Sequence, residues 1–427
     1  AEFPLMELFN TLLNNSEEYS HIPSLIYREK GIPVTSKRQL TSFVDLNSDT
    51  YPDYEDFMRD IVGNYNYNQI ILPLVTKRGC HWSKCKFCIE FLGYKYRERI
   101  PENTIREIEY FTKKYGIFNY NLSEPDTVGK NKDEFLKFIE LLINLSKKKQ
   151  VNYSIECDLI HFNFTEDIIK KMAFAGFKRM LIGYESSIDR TNEILRKKTD
   201  FADNIITLKF ALKYKILIVA AFIMDLPEET KSDIYENLNN LHYLRFFIGN
   251  EYFRLTFTSL VLSYNSDYYR ILSDNEKTTY NKSWVNYFLN EKFLNQFEKR
   301  KVFGFRRPLK TNQIEWEEFH KIYKFYENNN STYEFEKRQG IVVYKEFLNE
   351  QKISTIKFTN KIYWDILCIA NDKICEFSDI YDVLKKDYTN ITKNRIVKII
   401  NKLQAEYLIY ANKEMSRIIT IIDTNLK

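Results

Sequence analysis

Thr76-Lys77-Arg78-Gly79-Cys80-His81-Trp82-Ser83-Lys84-Cys85-Lys86-Phe87-Cys88 holds three of the chain's six cysteines, at the spacing C-x4-C-x2-C. The other three, Cys157, Cys368 and Cys375, are scattered. Three thiolates on one short loop can each take an iron of a cubane cluster and leave the fourth iron open. An open iron lets a cluster bind and reduce a small molecule rather than only relay electrons. A second arrangement stays open at this point: Cys80, His81, Cys85 and Cys88 are ligands of the structural-zinc type. Against it, no second cysteine pair follows nearby, and adjacent Cys80 and His81 share one ion awkwardly. A disulfide is not expected from three clustered cysteines in a chain without a signal peptide.

Working outward, 427 residues suffice for two or three domains. The chain is 44% hydrophobic and 28% charged, so it buries a core and is not disordered. A net charge of +5 spread along the chain makes only a weak case for an anionic partner. No apolar run approaches membrane-spanning length. A soluble, cytoplasmic protein is expected, in a compartment where thiols stay reduced and a cluster survives.

From Gln69 to Leu260 strand and helix patterns alternate. Strand-like runs are Ile70–Val75, Ile117–Leu122, Val151–Cys157, Phe177–Gly183, Ile216–Met224 and Phe253–Leu260. Helical runs between them are Glu102–Tyr115, Lys132–Lys149, Glu166–Ala175, Phe201–Tyr214 and Ser232–Phe247. Pro101 suits a first helical turn, Gly116 and Gly176 stand where helices end, and Thr165 is a good N-cap. This order predicts a parallel sheet with right-handed crossovers. Asn152, Ser154 and Glu156 share one strand face, as do Asn119, Asn121 and Ser123, and Arg254, Thr256 and Thr258. Helices must cover the apolar faces, so the polar faces point into a barrel, with a site near the C-terminal strand ends. The same phase turns Cys157 outward as a buried small residue.

These residues resemble the radical S-adenosylmethionine (SAM) enzymes. Arg78-Gly79-Cys80 and the aromatic Phe87 before the last cysteine are similar to the cobalamin-dependent branch, with one extra residue between Cys80 and Cys85. Leu181-Ile182-Gly183-Tyr184-Glu185-Ser186-Ser187 resembles the Gly-Ile-Glu-Ser segment of that family's fourth strand. Ala221–Thr230 resembles Gly-Leu-Pro-Gly-Glu-Thr, with Asp225 and Glu228 replacing both glycines. That loss implies turns that need neither close backbone approach nor positive φ. Leu122-Ser123-Glu124-Pro125 is a looser counterpart of Gly-Gly-Glu-Pro. Leu260–Tyr269 resembles the segment after the sixth strand in peptide-modifying members.

The resemblance implies a partial (β/α)6 TIM-like barrel over 61–262. Residues 1–60 are expected to be an extension or linker, a remnant of a cobalamin domain. Residues 263–350 are expected to form a mostly helical bridging or substrate region, and 351–427 a winged-helix-like α+β domain. Cys80, Cys85 and Cys88 would hold a [4Fe-4S] cluster that cleaves SAM to a 5′-deoxyadenosyl radical. Phe87, Ser123, Glu124, Ser154, Glu156, Glu185, Ser187 and Leu226 are the expected cofactor contacts; no catalytic residue is singled out. Cobalamin is a further candidate cofactor. The implied substrate is a precursor peptide, modified at an unactivated carbon by C-methylation or a related reaction, with a ferredoxin or flavodoxin as electron donor. No membrane or nucleic acid is expected as partner. The alternatives are a cobalamin-independent epimerase or crosslinking enzyme, and a zinc-containing winged-helix nucleic-acid-binding protein.

Overall fold

The computed structural model describes residues 2–36, 43–48, 50–61, 69–89, 95–160, 164–273, 275, 305–306 and 312–425. The six expected strands form one sheet: β1 (Leu72–Leu74), β2 (Asn119–Leu122), β3 (Ser154–Leu159), β4 (Phe177–Glu185), β5 (Leu217–Met224) and β6 (Phe253–Ser259). They lie side by side in chain order, and every neighbouring pair is parallel. Helices α1 (Pro101–Tyr115), α2 (Lys132–Lys149), α3 (Glu166–Ala175), α4 (Asp189–Ile194), α5 (Phe201–Lys213) and α6 (Lys231–Asn240) supply the crossovers. Pro101 opens α1, the Thr165 side chain caps α3, and Gly116 and Gly176 close their helices at φ 67° and 96°.

Strand phase positions the site. Along β3, Ile155, Cys157 and Leu159 are buried, whereas Ser154, Glu156 and Asp158 are half-buried on the other face. Tyr120, Ile155, Met180 and Ile218, fully buried on successive strands, hold the sheet to its helices. Each such side chain contributes roughly 1.5–3 kcal/mol. The concave face is polar and open, as Glu156 and Arg179 (3.3 Å apart) on β3 and β4 illustrate.

The bridging region differs from expectation. Residues 276–304 and 307–311 of it lie outside the described residues. Helix α7 (Gln313–Asn328) serves as the covering helix of the last strands. Its Trp316 and Phe319 meet Phe222 of β5 at ring distances of 5.9 and 5.4 Å, and the Tyr323 hydroxyl donates to the Leu255 carbonyl of β6. After it come two strands, β7 (Ser331–Arg338) and β8 (Ile341–Leu348), where helix was expected. They turn at Gln339 and Gly340, both at positive φ, and β8 pairs with β9 (Gln351–Phe358). The strand expected to open a terminal unit at 351 therefore completes a sheet that starts at Ser331. Helices α8 (Lys361–Ile369), α9 (Phe377–Asp387) and α10 (Lys393–Ala405) follow, then the hairpin Ile409–Ala411/Ile418–Thr420. Within residues 1–60, a helix (Glu2–Leu13) precedes a hairpin, Ile26–Glu29/Ile32–Thr35, which periodicity alone had left as linker.

Buried and half-buried polar side chains fasten the C-terminal elements to the barrel. Lys209 on α5 donates to the Asn371 carbonyl (2.7 Å), Asn371 Oδ1 (2.8 Å) and the Thr420 carbonyl (3.0 Å). Arg245 forks onto Glu346 of β8, and Arg417 of the hairpin pairs with Asp200 and Asp203 at the start of α5. Removing one partner of such a pair leaves an uncompensated charge, at a cost of about 3–5 kcal/mol. Arg245→Met is therefore expected to lower the Tm by several degrees, whereas Arg59→Met, which breaks an exposed pair with Asp56, should not. Differential scanning fluorimetry checks both.

Candidate functional site

The cysteine loop is built on a neck. Where β1 ends, Thr76 donates from its backbone N–H (3.2 Å) and its hydroxyl (2.5 Å) to the buried Glu124 carboxylate. Lys77 and Arg78 then pair antiparallel with Glu98 and Arg97, which closes the loop at its base. Gly79 turns the chain into Cys80 at φ 78°, a conformation that suits glycine. Above the neck, two segments clamp the loop. Lys86 N–H donates to the Leu195 carbonyl and Tyr268 N–H to the Lys86 carbonyl, both at 3.1 Å. The Lys86 ammonium meets Glu228 at 2.5 Å, and the Tyr268 hydroxyl donates to the same carboxylate at 3.0 Å.

Cys80, Cys85 and Cys88 are half-buried thiols. Burial pushes the Cys85 thiol up to about 11; Lys197 opposes this, and Cys88, Glu185 and Cys80 add to it. Such a thiol gives up its proton when a metal takes its place. Lys197 is the main electrostatic feature. Its ammonium is buried, lies 3.0 Å from Glu185 Oε1 and sits over the Phe87 ring at 6.0 Å. Burial disfavours its charge, but Glu185 and the thiols outweigh that and keep it protonated. Gly183 makes room for the pair: a Cβ there would come within 2.4 Å of Lys197 Nζ. The β4 ladder is irregular between Ile182 and Glu185, and Glu185 pairs again opposite Phe222 with its own φ at 56°. Phe87, Cys88 and Glu185 line one wall of a cavity of about 350 Å³, whose other wall is Ala221 and Ile223 of β5 and residues 258–261 and 263.

The donor set fits an iron–sulfur cluster. Ligands of a cubane each take a different iron rather than converging on one point, and three cysteines spread along one short loop suit that. His81, which follows Cys80, brings Nδ1 to within 3.0 Å of Asp126. A buried ammonium beside the thiols also suits a site that gains negative charge.

The other expected contacts divide. Glu185 and Phe87 reach the cavity. Ser154 and Glu156 lie on the concave face, with Glu156 committed to Arg179. Ser123 is exposed and bonds to Asn121. Glu124 is 2% exposed, with both oxygens taken by Thr76, so it holds the loop's base. Ser187 is fully buried: its hydroxyl meets Tyr184 at 2.8 Å and its N–H donates to Asn237. Leu226 packs with Leu195, Ile223, Leu260, Leu262 and Tyr268 beneath Phe87. Ser187 and Leu226 thus brace the site without lining the cavity. Lys197, Lys86, Glu228 and Tyr268 were missed, because only the fold brings residues so distant in sequence to the loop.

Asp225 corrects a further expectation. Glycine is absent there, yet the backbone is left-handed at φ 64°, which a short polar residue tolerates. Its N–H donates to Glu229 Oε2 at 3.2 Å. Burial and the Asp225 carboxylate push Glu229 up to about 8, against the pull of the Asp225 N–H and the Trp316 indole. Between pH 4.5 and 8 the folded chain therefore holds a proton that the unfolded chain has lost, so this group erodes stability as pH rises. Glu229→Gln should flatten that slope and raise the Tm at pH 8 but not at pH 4.5 or below, the unfolded value. Unfolding curves at both pH values read it directly.

Residues 74–241 match the family model described as the Radical SAM superfamily. The chain carries a radical SAM domain. The cofactors of such a domain are a [4Fe-4S] cluster and SAM. In sequence the chain is 25% identical over 178 residues to an anaerobic magnesium-protoporphyrin IX monomethyl ester cyclase of Cereibacter sphaeroides, covering 40% of this chain and 29% of that one. It is 24% identical over 260 residues to an uncharacterized methyltransferase of Pyrococcus horikoshii, covering 59% and 54%. It thus spans about half or less of the length of these relatives. A solved structure of the cobalamin-dependent S-adenosylmethionine radical enzyme OxsB, with aqua-cobalamin and S-adenosylmethionine bound, superposes with a TM-score of 0.55 at 16% identity. That match covers 77% of this chain and 49% of that one, and shows a shared fold for the radical SAM domain and its flanks.

Proposed function

We propose that this chain is the catalytic part of a radical SAM enzyme that modifies an unactivated carbon of a ribosomally made peptide in the cytosol. The observation that carries the reading is the three-cysteine loop with the buried Lys197–Glu185 pair beside it, Lys197 over the Phe87 ring and Glu185 at the wall of the cavity. Cys80, Cys85 and Cys88 would hold the cluster, which supplies one-electron cleavage of SAM to a carbon radical. The chain's own residues bind and orient. Glu185 offers a carboxylate to ribose hydroxyls or the amino group. Phe87 offers a flat face to the adenine. Ala221, Ile223 and Leu260 keep water off the reacting carbon.

A peptide substrate is supported by the far end of the chain. Among the described residues β9 has a neighbour on one side only. Beside it runs a groove of about 420 Å³, lined by Ile356, Phe358, Tyr363, Leu403 and Leu408, with Lys357, Lys402 and Glu406 as its charged residues. A sheet edge next to an apolar groove suits an extended peptide added as a strand, its acidic side chains facing those lysines. Methylation through cobalamin is favoured by the similarity to a methyltransferase and to a cobalamin-dependent enzyme.

Anaerobic reconstitution with iron and sulfide tests the reading. About four irons per chain and deoxyadenosine formation from SAM are expected with dithionite as reductant. A colourless, zinc-loaded chain that forms no deoxyadenosine would refute it. Equilibrium dialysis with hydroxocobalamin separates the cobalamin reading from the cobalamin-independent one.

A further inference from the structure

The cysteine loop has two faces. Phe87 and Cys88 face the cavity. The longer first interval, His81 to Lys84, turns away from it at Ser83, whose φ is 50°. That turn sets the half-buried Trp82 indole at the surface, donating from Nε1 to the Arg196 carbonyl at 2.8 Å. Two exposed lysines flank its ring: Lys84 Nζ at 4.6 Å from the centroid and Lys198 Nζ at 6.0 Å. Among the described residues neither lysine has a carboxylate within salt-bridge distance. The carboxylate at the patch, Asp267, is engaged by Arg196 at 2.6 Å. The patch is therefore a cationic rim around one aromatic ring, carried by the loop that holds the cluster's ligands.

We infer that this face is the docking surface for a small acidic one-electron carrier protein. The inference rests on the radical SAM reading of the loop. One-electron cleavage of SAM needs an electron from outside the chain, and the cavity side is reserved for SAM and substrate. The outer side offers a short covalent path: Trp82 stands two residues from Cys80 and three from Cys85. Positive charge unmatched on this chain steers an acidic partner and fixes its orientation, and the flat indole gives such a contact an anchor. The step is outer-sphere: the carrier loses one electron, the cluster gains one, and no bond or proton moves. The turn that carries Trp82 lies within the longer interval between Cys80 and Cys85, which gives that departure from the usual spacing a use.

Fluorescein-labelled oxidised flavodoxin, an acidic flavin protein, serves as the probe, with the full reconstituted chain and fluorescence anisotropy as readout. Affinity should fall steeply with added salt and drop about tenfold or more in Lys84→Glu/Lys198→Glu. Stopped-flow reduction of the cluster by flavodoxin hydroquinone should slow by a similar factor in that variant, while reduction by dithionite stays at the wild-type rate. Wild-type affinity in the double variant, or equal slowing with both reductants, overturns the inference. If the wild-type chain forms no deoxyadenosine with dithionite, the radical reading fails, whereas the anisotropy measurement still judges the surface.

Discussion

Cys85→Ala is expected to abolish both the iron–sulfur absorbance near ~400 nm and deoxyadenosine formation. Two thiolates cannot fix a cubane that needs three sites, and the open iron loses its geometry when the loop no longer holds the other three irons. The loop itself should survive, because what clamps it is Lys86 and Thr76 rather than the Cys85 side chain. Circular dichroism and thermal unfolding of the metal-free variant should therefore match the metal-free parent. Cys157→Ala provides the contrast. Cys157 is fully buried behind the sheet, so its loss should lower stability by about 1 kcal/mol and leave the iron content unchanged. Wild-type deoxyadenosine formation in Cys85→Ala would remove Cys85 from the ligand set.

Lys197→Met should produce the second-largest effect, for a different reason. Methionine has nearly the same length but no charge, so Glu185 is left buried without its partner. The expected cost is about 3–5 kcal/mol of stability. The cluster would also lose the nearest buried positive charge, and its reduction potential should fall. Adding an electron becomes harder, and deoxyadenosine formation should drop by roughly two orders of magnitude if a few kcal/mol is lost at that step. Lys197→Met/Glu185→Gln separates the two consequences: removing both charges should restore most of the stability but only part of the potential, since the Glu185 carboxylate opposes Lys197 at the site. Gly183→Ala should act like a mild Lys197→Met, since its methyl group would occupy the space of the ammonium. Redox titration monitored by electron paramagnetic resonance, alongside thermal unfolding, distinguishes these outcomes. An unchanged potential in Lys197→Met would exclude the electrostatic role.

Much of the barrel was legible in the sequence because it follows from period. The alternation in Val151–Cys157 and the helical spacing in Lys132–Lys149 each report which face meets the core. The observed α2 spans those same helical residues, and Cys157 faces outward, as its phase required. The spacing of the three loop cysteines singled them out as metal ligands but left a cluster and a zinc site both open. Lys197 was not, because nothing in Arg196-Lys197-Lys198 tells the one buried lysine from its exposed neighbours. What selects it is the space left by Gly183 and the bend at Glu185, both tertiary facts. Asp225 misled for a related reason: glycine announces a left-handed backbone, while aspartate adopts one without a signal. The hairpin Ser331–Leu348 does carry a strand alternation, Tyr333-Glu334-Phe335-Glu336, and a Gln339-Gly340 turn. Its density of charged and aromatic residues, however, reads equally well as an exposed helix.

The placement of α7 and the hairpin arginine bears on how this protein can be taken apart. A fragment ending after β6 would retain every cysteine of the loop and all six strands. It would nonetheless bare Phe222 and Phe257 where Trp316, Phe319 and Tyr323 now lie. It would also strip Arg417 from Asp200 and Asp203, only a few residues beyond the Leu195 and Arg196 carbonyls that hold the cysteine loop. The smallest unit able to keep its metal is therefore expected to run through residue 420, and a minimal barrel cut by motif boundaries should be insoluble or lose its iron.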